Sequence, residues 1–462
     1  MAEETAEVSL RRLEQVGCQQ RLPGTDEEAA KVEELLAEEL ANLSMSEQDV
    51  ASFEVHGIAA EVEETPELVY QCLIELEEEV QKIKINKKPA YEKALKMNPT
   101  YVTSQSFRLQ FLRCEAFNCK NAAGRLVLHF QQKEQLFGSG DVLVRDVRMS
   151  DMDSSGLKAL ESGALQLLPT CDVSGRAVLL LFLRKWGDKP KAKTAQRMLY
   201  YMMQTAMQDE NMQRKGIVVI LYFVGNDASL FGFNIFKSVF QTRLAVPHRL
   251  EAMHICYDSK TLRPIVSGLR FFLDKRGRTR SRIHFGNEKH LLFQLQTYGI
   301  PIAEDSPLKR VNGELPLAPH REWLQIRQAQ EMKVSGTGEI PKTLFPHRFD
   351  VLFGRGTKVR SHTGNLRALQ LVNMWQSRYD GASYRAVKAE ISERIVSIIH
   401  QSKGRFLKWE ETGWVEVDDE AARDKVAHYF RNQRRIKSDH DTNKQSTAPK
   451  RTRSTEIAVQ VI

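Results

Sequence analysis

AlaValLeuLeuLeuPheLeu at 177–183 and IleValValIleLeuTyrPheVal at 217–224 are the stretches that decide the fold. Neither alternates apolar with polar residues. A strand with one face in water does alternate, so both read as strands buried on two faces. Each is far short of the roughly 20 apolar residues that span a bilayer. Between them, Thr194 to Gln208 has helical spacing. Strand, helix, strand in that order predicts a parallel or mixed sheet covered by helices. Downstream, Phe231 to Phe240 reads as an aromatic-rich helix, and His254 to Tyr257 and Arg282 to Phe285 as shorter strands.

Upstream the pattern is helical. Thr25 to Glu28 fits a capping box ahead of Ala29, Val32, Leu35, Leu36, Leu40 and Leu43. Thr65-Pro66-Glu67 starts another helix, with proline at the first helical position and Leu68, Val69, Cys72, Leu73, Leu76, Val80 and Ile83 along one face. A short helix around Tyr91 to Met97 stops at Asn98-Pro99. Ser104 or Ser106 can cap the next, bearing Phe107, Phe111 and Leu112. Asn118 can cap another, bearing Ala122, Leu126, Phe130 and Phe137. Downstream, residues 303–345 are rich in proline, glycine and charge, which marks a domain boundary. A last domain starts near Pro346. It reads as a helix from Gly364-Asn365, a second with Ile391, Ile395 and Ile399, a hairpin turning at Glu411-Thr412-Gly413, and a helix capped by Asp418 or Asp419.

The expected fold class is therefore α+β or α/β: a helical N-terminal region, a mixed sheet with covering helices, and a small mainly helical domain with a β-hairpin. The organisation reads as an acidic, partly disordered helical segment (1–60), a helical region (61–140), an α/β module (141–305), a linker (306–345), a small domain (346–436) and a disordered basic tail (437–462).

The chain has 462 residues, 67 Lys and Arg against 59 Asp and Glu, and a formal charge of +8. The charge is unevenly placed. Carboxylates crowd residues 1–100, as in Glu33-Glu34, Glu38-Glu39 and Glu77-Glu78-Glu79, whereas cations concentrate after Lys185. That asymmetry suggests an anionic partner for the later part. The acidic start fits neither a secretory signal nor an Arg-rich transit peptide, which suggests an intracellular protein, cytoplasmic or nuclear. Cys18, Cys72, Cys114, Cys119, Cys171 and Cys256 lack paired metal spacing and read as buried thiols in a reducing compartment. Walker, His-Glu-x-x-His and Gly-x-Ser-x-Gly motifs are missing from the sequence. Gly354-Arg355-Gly356 is too short for a dinucleotide fingerprint. The chain reads as a binding protein rather than an enzyme, with no cofactor and no metal.

PheLeuArgCysGluAlaPheAsnCysLysAsnAla at 111–122, SerGlyArgAlaVal at 174–178, ProHisArgLeu at 247–250, PhePheLeuAsp at 271–274, SerArgIle at 281–283 and IlePro at 300–301 occur in the order of related motifs in the CRAL-TRIO family. Residues 100–305 resemble that family. The resemblance implies a pocket for one apolar or amphipathic lipid between a sheet floor and a mobile gate helix. The gate would be Thr261 to Leu273, with Leu262, Ile265, Val266, Leu269, Phe272 and Leu273 as pocket and gate residues. Where phosphatidylinositol-binding members hold the headgroup with Glu and Lys, this chain has His248 and Arg282. A histidine accepts from sugar hydroxyls weakly and in one tautomer only, which argues against that ligand. Arg276, Arg278, Arg280 and Arg282, with Lys275, suit an anionic membrane surface. His248 and these arginines are the expected headgroup or membrane contacts.

PheAspValLeuPheGlyArgGly at 349–356, HisThrGlyAsn at 362–365, GlyArgPheLeu at 404–407, GlyTrpValGluValAsp at 413–418 and AlaAlaArgAspLysValAlaHisTyrPheArg at 421–431 resemble the domain of unknown function 6824 family over residues 346–436. Arg355, Lys358, Arg360, His362 and Arg367 lie along a Gly-rich loop leading into a helix, which suits phosphate and makes them the expected anion-binding residues. Arg431, Arg434, Arg435, Lys437, Lys450, Arg451 and Arg453 suit nuclear import or nucleic acid, or a solvated tail. Two functions follow. One is a lipid-binding protein whose basic domain meets an anionic partner. The other is a nucleic-acid-binding regulator acting through that basic domain.

Overall fold

The two apolar runs form the centre of a five-stranded sheet in a computed structural model. The structure describes residues 11–18, 20–58, 61–186, 191–302, 308–309, 316–333, 345–410 and 413–446. Strands β1 (Leu165–Leu167), β2 (Ala177–Leu181), β3 (Ile217–Tyr222), β4 (Leu250–Tyr257) and β5 (Ser281–Phe285) lie side by side in that order. β1 runs antiparallel to β2, and the other neighbours are parallel. Ile217 pairs with Ala177, and Leu221 with Leu181. Side chains alternate between faces along a strand. One face therefore carries Leu179, Leu181, Val219, Leu221 and Met253. The other carries Val178, Leu180, Val218, Ile220 and Cys256. Both faces are buried, which is why the sequence shows no alternation.

Contacts divide the chain into two compact units: residues 1–348 with 409–415, and residues 349–408 with 416–462. In the first, α1 (Asp26–Ala41) is capped by the Thr25 side chain, which accepts from the Glu28 amide. Helix α2 (Met45–His56) starts at a full capping box of Ser44 and Glu47. Helices α3 (Pro66–Lys82), α4 (Pro89–Met97), α5 (Gln105–Cys114) and α6 (Cys119–Phe137) share their own core around Leu76, Tyr91, Phe111 and Phe130. Thr65 and Asn118 cap α3 and α6 as their sequence positions predict. Helices α7 (Ala192–Ala206), α8 (Phe233–Arg243) and α9 (Arg263–Leu269) lie on the Leu179 face, and α10 (Glu288–Thr297) on the other. All six cysteines are buried.

Helix α11 (Ala318–Met332) occupies part of the segment expected to be linker. Trp323 and Leu324 pack on the sheet's core, and Glu331 accepts from Tyr201 Oη at 2.7 Å. Strands β6 (Val351–Phe353), β7 (Phe406–Glu410) and β8 (Gly413–Glu416) form a three-stranded sheet in that order. Helices α12 (Thr363–Gly381), α13 (Arg385–Gln401) and α14 (Asp419–Ser446) enclose Val372, Ile395, Val426 and Phe430. Tyr379 and Phe430 stack at 3.9 Å. Helix α14 runs to Ser446, ten residues into the expected disordered tail; residues 447–462 lie outside the described part, as do Glu411 and Thr412 of the hairpin turn.

Candidate functional site

An apolar cavity of about 50 Å³ lies between the sheet and helices α7 and α8. Its floor is Leu165, Leu179, Leu181, Val219, Leu221 and Met253. Its roof comes from two stripes at helical spacing, Ala195, Met198, Leu199 and Met203 on α7, and Ile235, Phe236, Val239 and Phe240 on α8. Residues three and four apart share one helix face, so each stripe points at the sheet. Three methionines in the lining give a wall that repacks at low cost. Arg243, at the end of α8, is the one polar side chain of the lining and donates to Asp274 at 3.0 Å. Burial pushes the Asp274 carboxyl up, but Arg243 and the Gly277 amide outweigh it and hold it down at about 2.

The expected gate is three short pieces rather than one helix: a turn at Lys260–Leu262, α9, and a turn at Arg270–Phe272. Leu262, Val266, Leu269, Phe272 and Leu273 are buried in the core on the cavity face of the sheet, and Ile265 packs half-buried against it. None of the six lines the cavity itself. Phe272 connects the two regions, stacking on Phe240 of α8 at 6.0 Å and meeting Phe233 edge-on at 5.5 Å. On its outer side α9 packs against α1.

The arginines that follow are engaged by partners within the protein. Glu54 of α2 is almost fully buried and receives Arg249 at 2.8 Å, Arg276 at 3.0 Å, and Arg280. Burial pushes its carboxyl up, but Arg276 and Arg280 outweigh burial and keep it below its ordinary range. Glu251, which shares Arg249 and Arg276, moves the other way, because burial and the charge of Glu54 favour its neutral form. Arg278 forks onto Glu39 at 2.6 and 2.7 Å. Arg282 is half-buried and donates to the carbonyls of Thr279 and Ser281. His248 is buried; its Nδ1 lies 3.0 Å from the Val246 carbonyl, and burial with Arg243 and Arg125 nearby keeps the ring neutral. The sequence showed the cations but not these partners. Excess carboxylate in residues 1–100 was the available signal.

In the second unit, much of the shared motif is architecture. Asp350 accepts from the Arg405 amide and from its Nη2, each at 2.9 Å. Asn365 bonds the amide and carbonyl of Leu352 and the carbonyl of Val359. A Cβ on Gly364 would stand 2.0 Å from the Asp350 carbonyl oxygen, so only glycine fits. Arg367 is drawn into this framework, with its guanidinium 5.4 Å from the Phe349 ring and Nη2 on Ser402 Oγ at 3.0 Å. His362 is half-buried, and burial lowers its pKa against the pull of Asp350. Arg355 and Arg360 are exposed beside Gly354 and Gly356, while the Lys358 side chain lies outside the described part.

The first unit is thus a mixed sheet roofed by apolar helices over a small cavity. Among the described residues no cluster of metal-ligating side chains occurs, and no helix is long and apolar enough to cross a membrane. Comparison with known families agrees: residues 161–300 match the family model described as CRAL/TRIO domain, a family of lipid-binding domains generally involved in transfer rather than catalysis. Residues 350–432 match the model described as Domain of unknown function (DUF6824). No curated protein matches the chain significantly.

Proposed function

We propose that the chain is a non-enzymatic carrier of a hydrophobic lipid-like ligand, bound between the sheet and helices α7 and α8. The observation that carries this is the cavity, which has one polar side chain among its fifteen lining residues. Ligand sites are apolar with a few placed polar groups, as here, but hold roughly 300–1,000 Å³. The cavity, at about 50 Å³, is smaller than that, so a ligand needs it to widen. Loading requires α8 to move off the floor; its Phe233 and Val239 are only partly buried, and Met198 and Met203 on α7 and Met253 on β4 can repack around the ligand. The test is Ala195→Val, which adds two methyl groups to the roof and fills the void. The variant keeps or gains thermal stability and takes up less fluorescent fatty acid than the natural protein. Equal uptake places the ligand elsewhere.

A second role is proposed for the C-terminal unit. Arg355, on the loop of Gly354 and Gly356, and Arg360, at the end of the one-turn helix Thr357–Arg360, lie on the surface, whereas Asp350 and Asn365 of the same motif are occupied with the fold. Those two cations suit an anionic partner, of which duplex DNA is the one tested below.

A further inference from the structure

The acidic helix α1 lies over the segment that follows β4. Glu33 accepts from Arg263 Nη2 at 2.8 Å and from Ser267 Oγ at 3.0 Å. Glu39 takes the forked Arg278 and also Arg12 at 3.1 Å. Glu47, just past the helix junction, meets Lys275 at 3.2 Å. Beneath these pairs, Val32 and Leu36 enter the same core as Val266 and Leu269. Pro23 presses on Gly268, where a Cβ would stand 2.3 Å from the proline ring.

The two ends of this covering differ in strength. Helix α2 is anchored by Glu54, which is buried among three arginines. Helix α1 is held at its rim by one pair open to water, Arg263 and Glu33 at 47% and 39% exposed, and by the better covered Arg278 and Glu39 at 7% and 16%. Exposed pairs are weak and salt-sensitive. Asn42, Leu43 and Ser44 separate the two helices.

We propose that residues 21–43 are a releasable strap, and that the surface beneath it, Arg263 and Arg278 beside Val266 and Leu269, docks on an anionic lipid bilayer. Strap carboxylates occupy the places that lipid phosphates and carboxylates take on the membrane. The freed face combines cations with an apolar stripe, the pairing that interfacial segments use. Release also uncovers α9, whose continuation reaches α8 through Phe272 and Phe240. Membrane contact is thereby linked to opening of the cavity. This inference rests on the lipid-carrier reading.

The experiment uses the full chain and vesicles of phosphatidylcholine, with or without phosphatidylserine. The double variant Glu33→Gln with Glu39→Gln binds anionic vesicles roughly 30-fold more tightly than the natural protein, the ratio expected for two freed cations, and gains nothing on neutral vesicles. Equal affinity of the two proteins overturns the strap. Hydrogen exchange on the natural protein decides even if the variant folds poorly: anionic but not neutral vesicles should deprotect residues 26–41, and unchanged protection overturns the proposal. Uptake of a fluorescent fatty acid by the same samples separates the two ideas. Uptake in neither protein sinks the carrier, whereas uptake with equal vesicle affinity sinks the strap alone.

Discussion

Glu54→Gln tests the ion cluster that fastens the N-terminal helices to the sheet. The side chain is 3% exposed and receives Arg249, Arg276 and Arg280. Glutamine keeps the shape and one acceptor oxygen but removes the charge. Guanidinium groups cannot shed their protons, so the variant leaves buried positive charge that only Glu251 opposes. Breaking one side of a buried pair costs about 3–5 kcal/mol, and the retained acceptor places this change at about 3 kcal/mol. Urea unfolding followed by far-ultraviolet circular dichroism reads the loss as a lower midpoint at unchanged slope. Glu47→Gln is the matched control: glutamine keeps an acceptor for the capping box, the pair with Lys275 is solvent-exposed, and the loss stays under about 1 kcal/mol. Equal midpoints for all three proteins would show that water reaches the Glu54 cluster and that α2 is not anchored there.

Asn365→Ala removes the partner of the buried Leu352 amide and of two carbonyls. Each orphaned group costs about 1–3 kcal/mol, so thermal melting of the second unit drops or is lost. His284 is pushed down to about 4 by burial first and Arg282 second. The unfolded ring protonates near pH 6.5, so stability present above that pH is lost as pH falls toward about 4, by up to roughly 3 kcal/mol. Urea midpoints between about pH 7 and pH 4 should show that decline, flattened in His284→Asn. If the C-terminal unit binds duplex DNA, changing Arg355 and Arg360 to Gln lowers the salt slope by about 1.8, from two lost phosphate contacts. Full-chain titrations at several salt concentrations measure it, and no binding at low salt leaves a protein partner for this unit.

The parts legible in the sequence were those governed by local rules. Two apolar runs became β2 and β3, and Thr25, Thr65 and Asn118 became the caps they resembled. What stayed hidden depended on distant partners. β4 begins at Leu250, four residues before the expected strand, because Glu251 interrupts the apolar pattern yet is buried against Arg249. Helix α2 shows no apolar stripe, since Met45, Val50 and Phe53 face outward; its capping box and Glu54 hold it. The stripe at Leu262 to Leu273 was visible as a buried face, but whether it faces a cavity or a core is set by α1 and α8, and periodicity does not report that. The motif around Gly354 was legible as a motif and not as architecture, because the Asp350–Arg405 and Asn365–Leu352 contacts join residues far apart in sequence.

The central claim is that a lipid enters between the sheet and helices α7 and α8. Native mass spectrometry of the full chain, purified from cells and then denatured for lipid identification, tests it most directly. The account predicts one hydrophobic lipid per chain, reduced in Ala195→Val and retained when Arg355 and Arg360 are changed. A natural protein free of lipid that also fails to take up fatty acid from solution would contradict it.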